Sequence, residues 1–189
     1  ILQVAAGGQH SMVLCYDGRV YACGLNENGQ LGLGREGGSV NGLELPRINV
    51  SSIACGSMHS AALSSLGHLY TWGNGSMGQL GLGDRQSRCK PQRVKGPLER
   101  GAAVLLCGGS HTVVLTSTKE VFTFGDNSYG QLGIGSKAAR ARARATPTRV
   151  ESLAGMDICF VAAGMAASGA LTVSGAVYMW GQQSCGQLG

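Results

Sequence analysis

One cassette occurs four times in this chain, and any fold must explain that first. The segments VAAGGQHSMVL (Val4–Leu14), IACGSMHSAAL (Ile53–Leu63), LLCGGSHTVVL (Leu105–Leu115) and VAAGMAASGAL (Val161–Leu171) align without gaps. Each leads through a turn into GRVYACG (Gly18–Gly24), GHLYTWG (Gly67–Gly73), KEVFTFG (Lys119–Gly125) or GAVYMWG (Gly175–Gly181). GQLG then follows at Gly29–Gly32, Gly78–Gly81, Gly130–Gly133 and Gly186–Gly189. From Gly7 to Gly29 is 22 residues, and the same 22 separate Gly56 from Gly78, Gly108 from Gly130 and Gly164 from Gly186. Between cassettes the interval drifts through 49, 52 and 56. A constant unit with variable connectors means identical supersecondary units joined by surface loops. The cassettes run over 4–34, 53–83, 105–135 and 161–189 of a single domain, 1–189.

The units read as strands. Segments of four to six residues rich in Val, Leu, Tyr, Phe and Trp are bounded by Gly, Asn and Ser, and no helical stripe competes with them. Strand one is VAAG, strand two follows a G-x-x-H turn, and strand three is VYACG and its copies. Strand four is expected at Leu45–Val50, Pro91–Gly96 and Pro147–Ser152, where a leading Pro suits a strand's first residue or an edge. Runs such as Met12-Val13-Leu14 and Val113-Val114-Leu115 are apolar on both faces, so each sheet needs a neighbour on each side. Radially packed four-stranded blades supply that. The fold class is all-β, a β-propeller of three complete blades and a partial fourth, an incomplete ring. GQLG reads as a loop plug whose Leu packs inward.

The recurring V-A-A-G-x-x-H-[ST] strand, G-x-V-[FY]-x-W-G strand and G-x-x-G-Q-L-G-x-G loop closely resemble the repeat of the regulator of chromosome condensation family, over nearly the whole chain. Cys23 and Phe124 stand at the Trp position, and Ala167 replaces the His of the last cassette. The resemblance implies a seven-bladed ring, of which four cassettes are about half. It also implies a founding activity of guanine-nucleotide exchange on a Ran-type small GTPase, in which acidic or polar residues just before the His help meet the GTPase. Here those turns read Gly8-Gln9, Ser57-Met58, Gly109-Ser110 and Met165-Ala166, with no acid, which argues against exchange by this chain alone. A light-sensing role like that of the plant UV-B receptor is disfavoured, because Trp72 and Trp180 are the only tryptophans.

Side-chain chemistry points away from catalysis. His10, His59 and His111 hold one repeat position, so they radiate around the ring rather than converge on a metal, and a turn hydrogen bond is their expected role. Gly32-Leu33-Gly34-Arg35-Glu36-Gly37 satisfies G-x-G-x-x-G but opens no helix. No nucleophile elbow or phosphate loop appears, so no catalytic residue, metal or cofactor is expected. The seven scattered Cys read as reduced core thiols, which favours an intracellular compartment, cytoplasm or nucleus. Two N-x-S sequons, Asn49–Ser51 and Asn74–Ser76, would be silent there. No apolar run approaches a membrane span.

Charge is more informative. The formal net charge is +5, but Asp84–Arg100 and Lys137–Arg149 together carry +9, leaving −4 elsewhere. The second segment includes the run ARARARA, whose like charges keep it extended. In an up-and-down blade, the one-to-two turn and the three-to-four loop emerge on the same face. Arg85, Arg88, Lys90, Arg140, Arg142 and Arg144 should therefore share a face with Gln9, Met58 and Ser110. That face is either a solvated insertion or a docking site for an acidic partner, protein or nucleic-acid backbone. The first reading of function is a non-enzymatic protein-interaction module within a larger regulatory protein. The alternatives are exchange on a Ran-type GTPase, and chromatin or nucleic-acid binding through phosphate contacts only. An open ring is also expected to self-associate.

Overall fold

The computed structural model describes residues 1–37, 48–99, 101–135 and 141–189, and the backbone of residues 39–44. The first blade is β1 (Gln3–Ala6), β2 (His10–Leu14), β3 (Val20–Leu25) and β4 (Ser39–Glu44). The second is β5 (Val50–Cys55), β6 (His59–Ser64), β7 (Leu69–Gly73) and β8 (Arg88–Arg93). The third is β9 (Ala102–Cys107), β10 (His111–Thr116), β11 (Val121–Asp126) and β12 (Ala143–Arg149). The last has three strands, β13 (Ile158–Ala163), β14 (Ala167–Thr172) and β15 (Val177–Gly181). Every neighbour within a sheet is antiparallel and consecutive in sequence. The first strands β1, β5, β9 and β13 meet one another in turn, so they line the axis and the fourth strands form the rim. The blades make an arc, not a closed ring. Among the described residues the only helix is a 3-10 turn, Glu151–Leu153.

Strand burial follows from position in the arc. The middle strands β6 and β10 are buried at all six positions, because their sheets carry a blade on each side. In β2 burial alternates, since the first blade has a neighbour on one face only, and the side chains of one strand alternate between faces. The core is accordingly three inter-blade layers. Met12, Leu14 and Leu31 face Ile53 and Trp72; Leu63, Leu69 and Leu98 face Leu105 and Phe124; Val113, Leu115 and Leu153 face Ile158 and Val161. The loop leucines Leu31, Leu80 and Leu132 are fully buried as the plug reading expects, while Leu188 in the last blade is only half buried. Beyond that blade no layer follows, and Phe160, Val177 and Met179 are exposed.

Two expectations need correction. The fourth strand begins earlier than its proline. It is Ser39–Glu44 in the first blade, and Val50 already opens the second; residues 45–47 lie outside the described residues. In β8 and β12, Pro91 and Pro147 sit inside the strand, at the register shift opposite Trp72 and Phe124. A bulge on a rim strand needs no ladder donor there, so the ring costs nothing in hydrogen bonding.

The histidines are the second correction: they bond across blades, not within the turn. His10 Nε2 lies 2.8 Å from Ser60 Oγ, His59 Nε2 3.0 Å from Thr112 Oγ1, and His111 Nε2 2.8 Å from Ser168 Oγ. Each hydroxyl donates onward to a carbonyl of the GQLG glutamine in the blade that carries the ring. These bonds are Ser60 to Gln30 at 2.7 Å, Thr112 to Gln79 at 2.8 Å and Ser168 to Gln131 at 2.8 Å. With its proton so committed, the hydroxyl accepts from the ring. That makes Nε2 the protonated nitrogen and leaves Nδ1, buried without a partner, unprotonated. A second donor reaches two of the same carbonyls, Trp72 Nε1 to Gln30 and Trp180 Nε1 to Gln131, both at 2.9 Å. Phe124 has no N–H to offer, so Gln79 receives the threonine alone. The imidazole also covers the repeat glycine: a Cβ on Gly7, Gly56 or Gly108 would collide with the ring and with a carbonyl of the next blade.

This relay is sensitive to substitution and to pH. Thr112→Val keeps shape but strands a buried N–H and a carbonyl, so it should cost about 1–3 kcal/mol in urea unfolding. Thr148→Val, whose hydroxyl bonds an exposed carbonyl on the rim, should change stability by less than about 0.5 kcal/mol. Equal effects would contradict the relay. Burial pushes His10 and His111 down from 6.5 to about 4 and His59 to about 3. The unfolded chain therefore takes up protons that the folded chain refuses. The stability is fully present above pH 6.5 and is lost as pH falls towards 4, by up to about 1.4 kcal/mol per pH unit per ring. Thermal melts should be flat above about pH 7 and fall steeply between 6.5 and 4. An unchanged midpoint at pH 5 would show that the rings are not buried neutral.

Candidate interaction site

The turns between first and second strands and the loops after third strands do share one face. Backbone bonds join them: Leu25 N–H donates to Gln9 carbonyl, Asn74 to Met58, Asp126 to Ser110 and Gln182 to Ala166, all at 2.8–2.9 Å. The loops are rigid because their own side chains close them. Gln30, Gln79, Gln131 and Gln187 each accept at Oε1 from the N–H two residues earlier, on Asn28, Met77, Tyr129 and Cys185. Gln79 and Gln131 also donate from Nε2 to Asn74 and Asp126. In the first blade Leu25 holds the corresponding position, and Gln30 Nε2 is left without a partner.

The loops of the first and second blades are also fastened to the next blade's rim strand. Gly34 N–H donates to Cys89 carbonyl at 2.7 Å and Gly83 N–H to Ala145 carbonyl at 2.8 Å. Gly29 and Gly78 take positive φ against the backbone of Cys89 and Ala145, where a Cβ would not fit. The basic segments are thereby held at the loop face instead of trailing into solvent.

The predicted site residues are thus partly brought together. Gln9 and Met58 are exposed on the turns and Ser110 is half buried. Arg85, Lys90 and Arg142 are exposed and Arg144 half buried; Arg140 lies outside the described residues. Arg88 is not free. It pairs with Asp84 at 2.6 Å and donates to the carbonyls of Gln86 and Ser87. That guanidinium and the Gln86 N–H hold the Asp84 carboxyl below its usual range, the N–H being the larger cause. No ion pair among the described residues engages Arg85, Lys90, Arg142 or Arg144. Besides Asp84, the loops after third strands carry Asp126, bonded to Ser128 and Gln131, and Glu27 and Glu36, exposed on the first blade's loop.

Sequence reasoning placed Met58 on this face but overlooked the other apolar side chains there, Met77, Tyr129 and Met165. Met77 and Tyr129 occupy the loop position that Asn28 holds in the first blade, and they are 41% and 56% exposed. Met58 and Met165, on the turns, are 45% and 76% exposed. Ser57 Oγ of the second blade donates to Met165 Sδ of the fourth at 3.5 Å, and Asn28 Nδ2 touches Met58 Sδ at 3.7 Å. The signal for them was available: they sit where the four repeats disagree with one another.

Other chemistry is sparse. Among the described residues no group of three His, Cys, Asp or Glu could hold a metal, and Gly37 N–H closes its loop onto Asn26 carbonyl without opening a helix. All seven cysteines are free, but the expectation of core thiols is too strong: five are half buried, and Cys159 and Cys185 are exposed. Burial pushes the Cys55 thiol up to about 12 and raises Cys107 likewise, so neither is a ready nucleophile. No helix among the described residues is long and apolar enough to cross a membrane.

Comparison with known proteins agrees with this architecture. A family model described as the RCC1-like domain matches residues 1–189. The chain is 47% identical over 191 residues to a Homo sapiens protein named "Probable E3 ubiquitin-protein ligase HERC3", covering all of this chain and 18% of that one. Among solved structures, human WBSCR16 superposes with a TM-score of 0.85 at 29% identity, covering 99% of this chain and 49% of that one. The structure of Prp20p from Saccharomyces cerevisiae, described with its binding properties to Gsp1p and histones, superposes with a TM-score of 0.85 at 25% identity, covering 99% and 44%. The chain thus spans less than a fifth of the HERC3 relative and about half of each structural neighbour.

Proposed function

This chain belongs to the RCC1-like domain family, and from that premise we propose that it is a protein-docking module whose working surface is the loop face. One observation carries the reading: loops closed by their own glutamines hold Arg85, Lys90, Arg142 and Arg144 on one face with no carboxylate paired to them among the described residues. A solvated insertion would need neither the loop closure nor the fastening to the neighbouring rim strand.

A finer reading is contact with a small GTPase of the Ran type. The likeness to Prp20p, whose description names Gsp1p and histones, favours it. The absence of acids in the G-x-x-H turns weighs against exchange by these four blades on their own. Nucleic acid would be held through phosphates alone, because the face carries no base-reading set. As for the HERC3 relative, a part covering 18% of it fits a targeting role beside other domains.

Association of the chain with a Ran-type GTPase, with histones and with a short DNA duplex, followed at several salt concentrations, tests this. Replacing Arg85, Lys90, Arg142 and Arg144 together by alanine should slow protein association about tenfold at low salt, because rim charges steer encounter. Stability should change by less than about 0.5 kcal/mol for each surface site. Unchanged rates and salt dependence in that variant would remove the docking reading.

The exposed end face of Phe160, Val177 and Met179 supports self-association of the arc. Sedimentation should show species larger than a monomer, and the replacement Phe160→Glu should reduce them. A clean monomer at high concentration would count against it.

A further inference from the structure

The loop face carries more than charge. Met58, Met77, Tyr129 and Met165 are each at least 41% exposed there, although Asn28 serves at the position of Met77 and Tyr129, Gln9, Ser110 and Ala166 at that of Met58, and Gly8, Ser57 and Gly109 at that of Met165. Packing therefore does not call for them. A single exposed apolar side chain needs no explanation, but four on one face of a domain with 5% aromatic residues do. They are also arranged. Met165 reaches past the third blade to Ser57, the neighbour of Met58, and Met58 touches Asn28. Tyr129 lies on the loop that opens next to β13–β15, whose turn carries Met165. Outside this group stand Arg85 and Lys90 on the second blade and Arg142 and Arg144 on the third, unpaired among the described residues.

An apolar centre inside a charged rim is how protein interfaces are built, and methionine is suited to a centre that must adapt to its partner. We propose that this face receives an acidic protein segment bearing an apolar anchor. The anchor seats among Met58, Met165 and Tyr129, and flanking carboxylates meet Lys90, Arg142 and Arg144. This rests on the docking reading above and names the partner's chemistry. Charge complementarity selects the occupant. A second copy of this chain presents the same cations and is repelled, and a nucleic-acid backbone supplies negative charge but no aliphatic group for the thioethers.

The test uses the 189-residue chain and fluorescein-labelled peptides read by anisotropy. One peptide has aspartates and glutamates flanking a central leucine and tryptophan. A second replaces that pair by serines, a third replaces the acids by glutamines, and a short DNA duplex is the fourth ligand. The first peptide should bind at least about tenfold more tightly than any other. The double change Met58→Ser with Met165→Ser should weaken it about tenfold and leave its salt dependence alone. Arg142→Ala with Arg144→Ala should flatten the salt dependence instead. Melting temperatures of both variants should match the parent, since Met58, Met165 and Arg142 are exposed and Arg144 is only half buried. Equal binding of the serine peptide (charge alone), equal binding of the glutamine peptide (unspecific stickiness), absence of peptide binding, or tighter DNA binding indifferent to the methionines would each overturn the proposal. If no peptide binds while the quadruple cation variant still slows protein association, the docking reading survives and this proposal falls. If both effects are missing, both fall.

Discussion

Every blade junction in this protein turns on a three-part hydrogen-bond relay, from an imidazole to a hydroxyl on the next blade and back to a backbone carbonyl on the first. At Thr112 the relay has donor, acceptor and return acceptor all fully buried. A relay of this kind does what apolar layers cannot. Leucine, valine and phenylalanine press blades together without preferring one lateral offset, whereas hydrogen bonds of 2.7–3.0 Å tolerate little sliding. The low dielectric around the rings strengthens the bonds and penalises any loss of one partner. Placement of β5 against β1, or β9 against β5, is thereby set, and the position of each loop on the outer face follows from it.

The same glutamine serves both ends of the design. Its backbone carbonyl receives the neighbouring blade, and its side chain closes the loop that faces solvent. Stability of the stack and rigidity of the surface are thus tied to one residue per blade. The side chains of nearby loop residues, such as Met77 and Tyr129 two positions before it and Arg85 six positions after Gln79, are released from structural duty. That division explains why the buried parts of the four cassettes look alike while their exposed parts differ in charge and in apolar character. A surface of this type can be re-specified for a new partner without disturbing the fold.

Much of the architecture was legible because repetition converts weak local signals into strong ones. The 22-residue spacing, the strand pattern and the inward leucines all reappear in the structure. What escaped notice had physical reasons. The relay's return acceptor is a backbone carbonyl, which leaves no mark in the residue type, so the GQLG motif announced a loop plug but neither the side-chain nor the main-chain role of Gln30, Gln79 and Gln131. The fourth strands were placed late because proline was taken to open a strand, while Pro91 and Pro147 occupy bulges within one. Of the apolar side chains of the loop face, Met77, Tyr129 and Met165 were missed because alignment of the cassettes rewards positions that match. Arg88 looked free in the sequence and is paired, since Asp84 four residues before it is brought within 2.6 Å by a turn with no repeat signature.

The central claim, that ring and hydroxyl act together across the blade junction, is tested most directly by a double-mutant cycle between His59→Ala and Thr112→Val, measured by urea unfolding at neutral pH. Each single change removes the same bond, so the pair should be less damaging than the sum of the two, with a coupling of about 1–3 kcal/mol. Additivity within about 0.3–0.5 kcal/mol would show that the two side chains stabilise the protein independently. The relay would then be a by-product of packing and not the interaction that positions the blades.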